Sequence, residues 1–510
     1  MLRPLRTLIR LLAIARSLAR HDALAPLEDL GLAPSVVWLS RRFTPKHVEG
    51  RPGQKLARAL SELGPSFIKL GQFLSTRADL LGEQLAADLA ELQDRLPPFP
   101  AELARATIEA ELGAPLESLF ADFDDTPVSA ASIAQVHFAV TSEGEEVAIK
   151  VLRPAVERAF ARDLELFRTL AAFAERTHAR LRRFKPLAVV ELFAETVRIE
   201  MDLRMEAAAA SELRDNFLDD ETYGVPRVDW QRTSTRVLTL ERIGGIPIDD
   251  REALVAAGHD LEDVLTKAAE IFFKQVFRDG FFHGDQHAGN MAIDQTGRIV
   301  AVDFGIMGRL DRGTRFYLAD MLTATLSRDY RRLAEVHVRA GYLPADQPLE
   351  IFAQALRSVC EPIVGRSLHQ ISFARLLAQL LQVSESFDMP VQPQLLLLQK
   401  NMMMAEGVSR RLSPDLNIWI LAQPLIEEWM RDNLGPEARV RDAAGELRQA
   451  AERLPGLVAG VEQVARDLAS GGLRVHPDSL QALAGRGNGL GRWALWIAVA
   501  ALVIALFAAF

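Results

Sequence analysis

The chain has 510 residues, more than one hydrophobic core usually holds, so we expect more than one structural unit. Apolar residues make up 49% and charged residues 25%, which is the balance of a globular protein and not of a disordered one. The formal net charge of -9 argues against a general nucleic-acid binder, because phosphate backbones attract basic surfaces. A single cysteine, Cys360, excludes an intramolecular disulfide framework and any multi-cysteine metal site.

Residues 1–125 are predicted to form a mainly helical extension, because proline and glycine punctuate otherwise helical segments. The first 20 residues carry five arginines among leucines, isoleucines and alanines. Such a segment can lie in a membrane interface, resembles an organelle transit peptide, and is equally compatible with an amphipathic surface helix. The sequence alone leaves these three interpretations open.

Residues 126–243 are predicted to form a small mixed lobe. Two β-prone runs, 136–140 and 147–151, are joined by the short segment 141–145, which is the pattern of a hairpin. A long helical stretch follows over 155–217, and a third β-prone run precedes two glycines, Gly244 and Gly245. We expect the glycines to mark a hinge between two lobes.

Residues 244–430 are predicted to form a larger, mainly helical lobe. It contains two short β-prone runs, 291–293 and 299–302, on either side of a glycine turn. Helices and a linker are predicted over 431–492. The overall expectation is an α+β chain with two lobes after a helical extension.

The last 18 residues, 493–510, contain no charged or strongly polar side chain. As a helix they would span about 27 Å, close to the roughly 30 Å hydrocarbon core of a bilayer. A buried core helix is the alternative, but such helices usually have a polar face. We therefore expect a transmembrane tail anchor, and Arg486 and Arg492 just before it favour a cytoplasmic position for the preceding residues.

The strongest motif is His-Gly-Asp-Gln-His-Ala-Gly-Asn over 283–290, followed by Asp-Phe-Gly over 303–305. Phosphoryl transfer from a nucleotide needs one carboxylate to orient the nucleophile, here Asp285. It also needs a carboxylate and an amide oxygen to hold Mg²⁺ on the phosphates, here Asp303 and Asn290. This set has the spacing found in kinases, so it predicts a kinase-like site for ATP and Mg²⁺.

A second motif, Val-Ala-Ile-Lys over 147–150, lies on a predicted strand and matches the strand-borne lysine of kinases. Where kinases have a glycine-rich loop, this chain has Pro127–Gln135, which is rich in alanine. Alanine disfavours the positive φ angles that glycine reaches freely, so we expect a stiffer loop. The nine residues of this alanine-rich loop are predicted to cover the nucleotide: Pro127, Val128, Ser129, Ala130, Ala131, Ser132, Ile133, Ala134 and Gln135.

An alanine-rich loop beside these motifs resembles the UbiB family of atypical kinases of ubiquinone biosynthesis. Lys-Leu-Gly-Gln over 69–72 is similar to the family's KxGQ signature, and Glu-Met-Asp over 200–202 to its ExD motif. Segment 400–412 also resembles the family. The resemblance covers about residues 45–420 and implies a two-lobed protein-kinase-like fold.

The resemblance also implies roles for individual residues. Lys150 would bind the α- and β-phosphates and pair with Glu206, and Asp285 would be the catalytic carboxylate. Lys69 and Gln72 would fold back onto the site as regulatory residues, with Lys69 near Glu200 and Asp202. The family's extension blocks the groove in which a peptide would lie. In agreement, Gly284 replaces the arginine of the kinase His-Arg-Asp motif, and no Ala-Pro-Glu follows Asp303.

The function implied by the resemblance is an ATPase or atypical kinase that supports ubiquinone biosynthesis. Its catalytic domain would lie on the cytoplasmic face of the inner membrane in a bacterium, with a membrane lipid or quinone precursor, or other enzymes of that synthesis, as partners. Two alternatives remain at this point. The 283–290 loop also resembles that of aminoglycoside and choline kinases, and a non-catalytic scaffold that senses ATP would keep the same residues.

Overall fold

The computed structural model describes residues 2–23, 49–75, 81–90, 96–177, 185–344, 346–362 and 392–413, with a few single positions between them. The predicted linker region 431–492 and the predicted anchor 493–510 lie outside these residues, so both stay predictions. Within the described part of the chain, no helix combines the length and the apolar character needed to cross a membrane. The predicted domain boundaries likewise stay predictions.

The first part of the chain is built from helices, numbered in chain order: α1 (Leu2–Arg20), α2 (Pro52–Leu63), α3 (Pro65–Ser75), α4 (Glu83–Ala90), α5 (Ala101–Leu112) and α6 (Leu116–Leu119). Gly64 ends α2 with a φ of 100°, and Pro65 then opens α3. Gly71 in α3 allows a close approach, since a Cβ there would lie 2.3 Å from Leu92. The extension therefore packs tightly where the KxGQ motif lies.

The small lobe is an antiparallel sheet with strand order β1-β3-β4-β6, in which β2 also pairs with β3. The strands are β1 (Phe120–Phe123), β2 (Ser129–Ala130), β3 (Ala134–Thr141), β4 (Glu146–Leu152) and β6 (Val237–Glu241); β5 (Tyr223–Gly224) precedes β6 in the chain and belongs to another sheet. Alternate residues of β4 are buried: Val147, Ile149 and Val151 pack in a core with α5. The two-residue repeat of a strand places Lys150 on the opposite face.

The helical stretch predicted over 155–217 is divided into three helices: α7 (Val156–Thr177), α8 (Pro186–Glu200) and α9 (Leu203–Asn216). The break between α8 and α9 has a local cause, because Asp202 caps α9 by accepting a hydrogen bond from the backbone N–H of Arg204. Buried side chains of all three helices join one core cluster with Leu152 and Leu238. The helices thus fix one face of the small sheet.

The larger lobe holds short strands around the predicted hairpin. One sheet has the order β5-β10-β9-β7, and β11 pairs with β8. These strands are β5 (Tyr223–Gly224), β7 (Ile246–Pro247), β8 (Phe281–His283), β9 (Met291–Ile293), β10 (Ile299–Ala301) and β11 (Met307–Arg309). Gly245 is required at the start of β7, since a Cβ there would lie 2.2 Å from the carbonyl oxygen of Ile293.

Helices form most of the remaining large lobe: α10 (Arg251–Ala256), α11 (Leu261–Phe273), α12 (Arg312–Leu326), α13 (Tyr330–Arg339), α14 (Leu349–Cys360) and α15 (Pro393–Leu412). A π-helical turn, Lys274–Asp279, extends α11 and ends at Gly280, which has a φ of 65°. An aspartate caps the N-terminus of each of four helices: Asp250, Asp260, Asp311 and Asp329. Helix α15 packs against β11 and so lies beside the loop that follows β8.

Candidate functional site

Lys150 lies between two carboxylates. Its Nζ donates to both oxygens of Glu206, at 2.7 and 2.9 Å, and to Oδ2 of Asp303 at 3.4 Å. Glu206 is in the first turn of α9 and is buried, whereas the side chain of Asp303 is 45% exposed. The strand lysine, the helix glutamate and the Asp-Phe-Gly aspartate are therefore brought together in one ionic cluster.

Charge pairing dominates the protonation state of this cluster. Burial alone would lower the pKa of Lys150, but the negative charges of Asp303 and Glu206 outweigh burial and raise it well above the ordinary lysine value. Partial desolvation would conversely raise the pKa of Asp303, although its side chain is 45% exposed, but the charge of Lys150 and a hydrogen bond from the N–H of Gly305 hold this pKa well below its usual range. Both groups are charged at neutral pH, as phosphate and metal binding require.

His283 fixes the start of the candidate catalytic loop, His283–Asn290. Its Nδ1 accepts from the backbone N–H of Asp285 at 3.1 Å, and its Nε2–H donates to the carbonyl oxygen of Asp303. Burial lowers the pKa of His283 below the ordinary value, so the ring is neutral at pH 7 and can both accept and donate. This one ring therefore ties the Asp285 backbone to the Asp303 backbone.

Asn290 closes the same loop. Its Nδ2 donates to the backbone carbonyl oxygen of Asp285 at 3.1 Å, and its backbone carbonyl oxygen accepts from the N–H of Val302 at 3.1 Å. The second bond places Asn290 beside the residue that precedes Asp303. Because the amide nitrogen is used within the loop, the amide oxygen is the atom left to face a cation.

Helix α15 contributes contacts to this loop that the motifs do not predict. Lys400 Nζ lies 2.7 Å from Oδ1 of Asp285. The next residue, Asn401, is fully buried; its amide donates to the carbonyl oxygen of His283 and accepts from the N–H of Gln286 at 3.4 Å. The catalytic loop is therefore held by a helix that starts more than 100 residues later in the chain.

Gly284 shows why this chain lacks the arginine of the kinase motif. A Cβ at Gly284 would lie 2.6 Å from a methyl carbon of Leu397 in α15 and 3.0 Å from the carbonyl oxygen of Ile306. No larger side chain fits while α15 is in this position. The replacement was visible in the sequence, but it did not reveal which segment occupies the space.

The alanine-rich loop forms a tight turn between β2 and β3. Ser129 pairs with Val136, and the N–H of Ala131 donates to Ala134 at 2.8 Å. Arg153 stabilises the turn with two hydrogen bonds. Its backbone N–H donates to the carbonyl oxygen of Ile133 at 2.8 Å, and its Nε donates to the carbonyl oxygen of Ala131 at 2.9 Å. Several of the loop's carbonyls are thus used within the protein.

Two polar residues of this loop, Ser132 and Gln135, are buried. The Gln135 amide forms two hydrogen bonds with the backbone of Phe99, at 2.9 and 3.2 Å. The remaining loop residues (Pro127, Val128, Ser129, Ala130, Ala131, Ile133 and Ala134) follow the turn and strand described above. The helical extension is therefore attached directly to the alanine-rich loop.

The four residues predicted to be regulatory take two different positions. Lys69 in α3 lies 3.3 Å from Glu200 at the end of α8, and both side chains are largely buried. The positive charge of Lys69 also helps to lower the pKa of Asp303. Gln72 follows one helical turn after Lys69. Asp202 instead forms an ion pair with Arg204, at 2.7 Å, besides capping α9.

These residues are suited to Mg²⁺-nucleotide chemistry. The carboxylate oxygens of Asp303 and the amide oxygen of Asn290 are of the kind that binds Mg²⁺ together with phosphate oxygens. Lys150 supplies a fixed positive charge beside Asp303. Asp285 provides a carboxylate on the same loop as Asn290. The two-lobed α+β fold and this arrangement define a protein of the protein-kinase-like class.

Comparison with known proteins gives a narrower assignment. Residues 91–337 match the ABC1 atypical kinase-like domain, and residues 356–417 match the UbiB helical domain. A protein of Marinobacter nauticus named probable protein kinase UbiB is 43% identical over 456 residues, 88% of this chain and 83% of that protein. One of the same name from Pseudomonas paraeruginosa is 42% identical over 472 residues, 90% of this chain and 86% of that protein. The chain belongs to the UbiB family of ABC1-type atypical kinase-like proteins.

A solved structure is also similar. It is a Mycobacterium tuberculosis protein in complex with erythromycin, 25% identical, with a TM-score of 0.45 over 70% of this chain and 94% of that one. The family assignment does not depend on it.

Proposed function

We propose that this protein binds Mg²⁺-ATP and hydrolyses it, or transfers its terminal phosphoryl group, in support of ubiquinone biosynthesis at a membrane. The observation that carries the proposal is the ionic cluster of Lys150, Glu206 and Asp303 beside the loop that holds Asp285 and Asn290. The relatives' name, probable protein kinase UbiB, supports kinase-like activity in general.

Each residue has a role that its position supports. Lys150, kept charged by its two carboxylates, would bind the α- and β-phosphates, while Glu206 holds its ammonium in place. Asn290 and Asp303 would hold Mg²⁺, which supplies positive charge to the phosphates when bound. Asp285 would orient the attacking hydroxyl or water. Backbone groups of the alanine-rich loop would cover the nucleotide.

The proposed acceptor is water or a membrane-bound quinone precursor, and not a protein. Lys69 of the helical extension pairs with Glu200, and by analogy with the family this extension would block the groove in which a peptide would lie. Gly284 also removes the arginine with which many kinases bind a phosphorylated activation loop. A tail anchor at 493–510 would place the site on the cytoplasmic face of the inner membrane in a bacterium.

The first test measures Mg²⁺-dependent ATP turnover by the full-length chain in liposomes, with and without a phenolic quinone precursor. We expect turnover that the lipid precursor stimulates and that Asp285→Asn abolishes. Phosphorylation of a water-soluble alcohol in place of lipid-dependent turnover would favour the small-molecule kinase. Nucleotide binding with no turnover under any condition would favour the ATP-sensing scaffold.

The metal assignment has a separate test. Asp303→Asn removes the only full negative charge among the two proposed ligands, so we expect Mg²⁺-ATP affinity to fall at least about tenfold, or roughly 1.4 kcal/mol. Affinity for ATP measured in EDTA should change much less. Asp125→Asn, which removes an exposed carboxylate paired with Arg105, is the matched control and should leave both affinities unchanged. An unchanged Mg²⁺-ATP affinity in Asp303→Asn would contradict the assignment.

A further inference from the structure

Asp285 carries a contact that none of the kinase motifs predicts. The ammonium of Lys400 lies 2.7 Å from Oδ1 of Asp285, which is hydrogen-bonding distance. The other carboxylate oxygen, Oδ2, faces Nε2 of His287 at 3.8 Å, too far for a hydrogen bond. The Lys400 and Asp285 side chains are 31% and 21% exposed, so the pair is partly shielded from water.

Neighbours of Lys400 on α15 bind both sides of Asp285. Leu397 fills the space beside Gly284, and Asn401 bridges His283 and Gln286. All three side chains lie within little more than one turn of one helix. The helix therefore touches the residue before Asp285, Asp285 itself and the residue after it, which fixes the ammonium relative to the carboxylate.

We propose that Lys400 is a positioning residue that orients the Asp285 carboxylate for phosphoryl transfer. A charge-assisted hydrogen bond to Oδ1 fixes the rotation of the carboxylate and leaves Oδ2 as the oxygen that accepts a proton. This rests on the proposed function. The family's helical segment, 356–417, thereby completes the active site of the kinase-like segment, 91–337.

The step balances with ATP as the phosphoryl donor. The oxygen of water or of an alcohol forms a bond to the γ-phosphorus, and the bond from that phosphorus to the β–γ bridging oxygen breaks. ADP leaves with the electron pair of the broken bond. The proton of the attacking oxygen passes to Oδ2 of Asp285, while Lys400 keeps its hydrogen bond to Oδ1.

Lys400 could instead have a purely structural role, in which its ion pair only holds α15 against the catalytic loop; this role, called a clamp below, predicts other kinetic effects than a positioning role does. A clamp acts on stability and on every function of the loop, whereas a positioning residue acts on kcat through Asp285 alone. A double-mutant cycle separates the two, because removing Lys400 should have little effect once the carboxylate it orients is gone.

The experiment uses the full-length chain in liposomes with Mg²⁺-ATP. Lys400→Met should lower kcat at least about tenfold and leave the KM for ATP within about twofold, since binding and positioning are separable. In the Asp285→Asn background the same change should alter the residual kcat less than about twofold. Lys400→Arg, which keeps a cation on the helix, should recover most of the activity.

Arg410→Met is the matched control, because it removes a cation from the same helix whose partner is Glu406, one turn away. It should leave kcat unchanged. Three outcomes would each overturn the proposal. They are an equal loss of kcat in Arg410→Met and Lys400→Met, an undiminished loss of kcat when Lys400→Met is made in the Asp285→Asn background, and a change of KM with no change of kcat in Lys400→Met.

If Lys400→Met lowers the unfolding temperature, Lys400→Arg decides the matter. Recovery of kcat in Lys400→Arg while the unfolding temperature stays lowered supports the positioning role, whereas a kcat that follows the unfolding temperature across the variants would show that only a clamp was removed. If the wild-type chain turns over ATP and Lys400→Met is fully active, the role of Lys400 is contradicted and the proposed function is not. Absence of turnover in the wild-type chain contradicts the proposed function itself, and the role of Lys400 with it.

Discussion

The alanine-rich loop and the catalytic loop are held in different ways. The alanine-rich loop is fixed by hydrogen bonds that involve backbone groups, from Arg153 to the loop carbonyls and between Gln135 and Phe99 of the extension. The catalytic loop is fixed by α15, through the Lys400 ion pair and the buried amide of Asn401. In both cases the anchoring partner lies outside the two strands that the loop connects.

The comparison explains where this chain departs from the kinase motifs. Alanines replace glycines in the loop that is attached to the N-terminal extension, and Gly284 replaces arginine in the loop against which α15 packs. The alanine-rich loop is held by the N-terminal extension, so it does not need the conformational freedom of glycine. The catalytic loop is covered by α15 at Gly284, so an arginine side chain has no room there. The motif changes thus coincide with the attachment sites of the two added segments.

The largest expected effect is at Lys150, which lies between the two carboxylates of the ionic cluster. Lys150→Met would leave Glu206 buried without its cation, and breaking a buried ion pair costs about 3–5 kcal/mol. Binding of Mg²⁺-ATP should be lost, since no other cation would reach the phosphates from β4. Urea unfolding and a fluorescent nucleotide titration of the full-length chain measure the two effects.

The double variant Lys150→Met with Glu206→Gln separates stability from binding. Glutamine removes the stranded charge, so we expect most of the unfolding free energy to return. Nucleotide binding should not return. If binding recovers together with stability, Lys150 serves the fold and not the phosphates.

A smaller effect is expected from Gly284→Ala, which tests the packing of α15 on the catalytic loop. The added Cβ would lie 2.6 Å from Leu397, and overpacking of this kind costs about 1–3 kcal/mol. Turnover should fall as well, because Lys400 would shift away from Asp285. The double variant Gly284→Ala with Leu397→Ala should recover part of both losses.

Gly407→Ala is the matched control on the same helix. A Cβ at Gly407 would meet no heavy atom within 4 Å, and alanine is favoured over glycine in a helix by about 0.5–1 kcal/mol. This change should therefore stabilise the chain slightly and leave turnover unchanged. Equal behaviour of the two alanine variants would contradict the packing argument.

Sequence reasoning found the residues whose motifs are local. The strands β3 and β4, the β9–β10 hairpin and the kinase-like class follow from short-range patterns, and the motif residues Lys150 and Asp303 lie on or directly after such strands. The described residues of the predicted helical stretch 155–217 are mostly helical, but the sequence did not predict the break at Asp202, which caps a new helix within that stretch.

The contribution of α15 could not be predicted, since it depends on packing between segments far apart in the chain. Lys400 and Asn401 lie 115 and 118 residues from their partners Asp285 and His283. Within the helix, a lysine and an asparagine beside three methionines resemble an ordinary polar edge. Only Gly284, small where an arginine was expected, indicated that something packs there.

The smallest expected effect concerns the buried histidines that support each loop. His137 accepts from Gln135 of the alanine-rich loop and donates to the carbonyl oxygen of Asp124, both at 2.8 Å, and His283 has the equivalent two roles in the catalytic loop. Burial lowers the pKa of both rings. The unfolded chain therefore binds their protons more readily than the folded chain, with an ordinary pKa of about 6.5.

The sign of the pH dependence follows from this difference. The contribution of these neutral histidines to the free energy of unfolding is complete above about pH 6.5. It falls as the pH drops below that value, by up to about 1.4 kcal/mol per pH unit for each histidine. His137→Gln and His283→Gln should each reduce that slope between pH 6.5 and 5, measured by urea unfolding. His337→Gln, at a partly buried histidine whose pKa burial also lowers, is the control and should likewise reduce the slope. Of these three variants, only His283→Gln should also lower kcat at pH 7.5, because His283 is the one of the three that binds the backbone of both Asp285 and Asp303. An equal loss of kcat in His337→Gln would show that stability alone sets the rate.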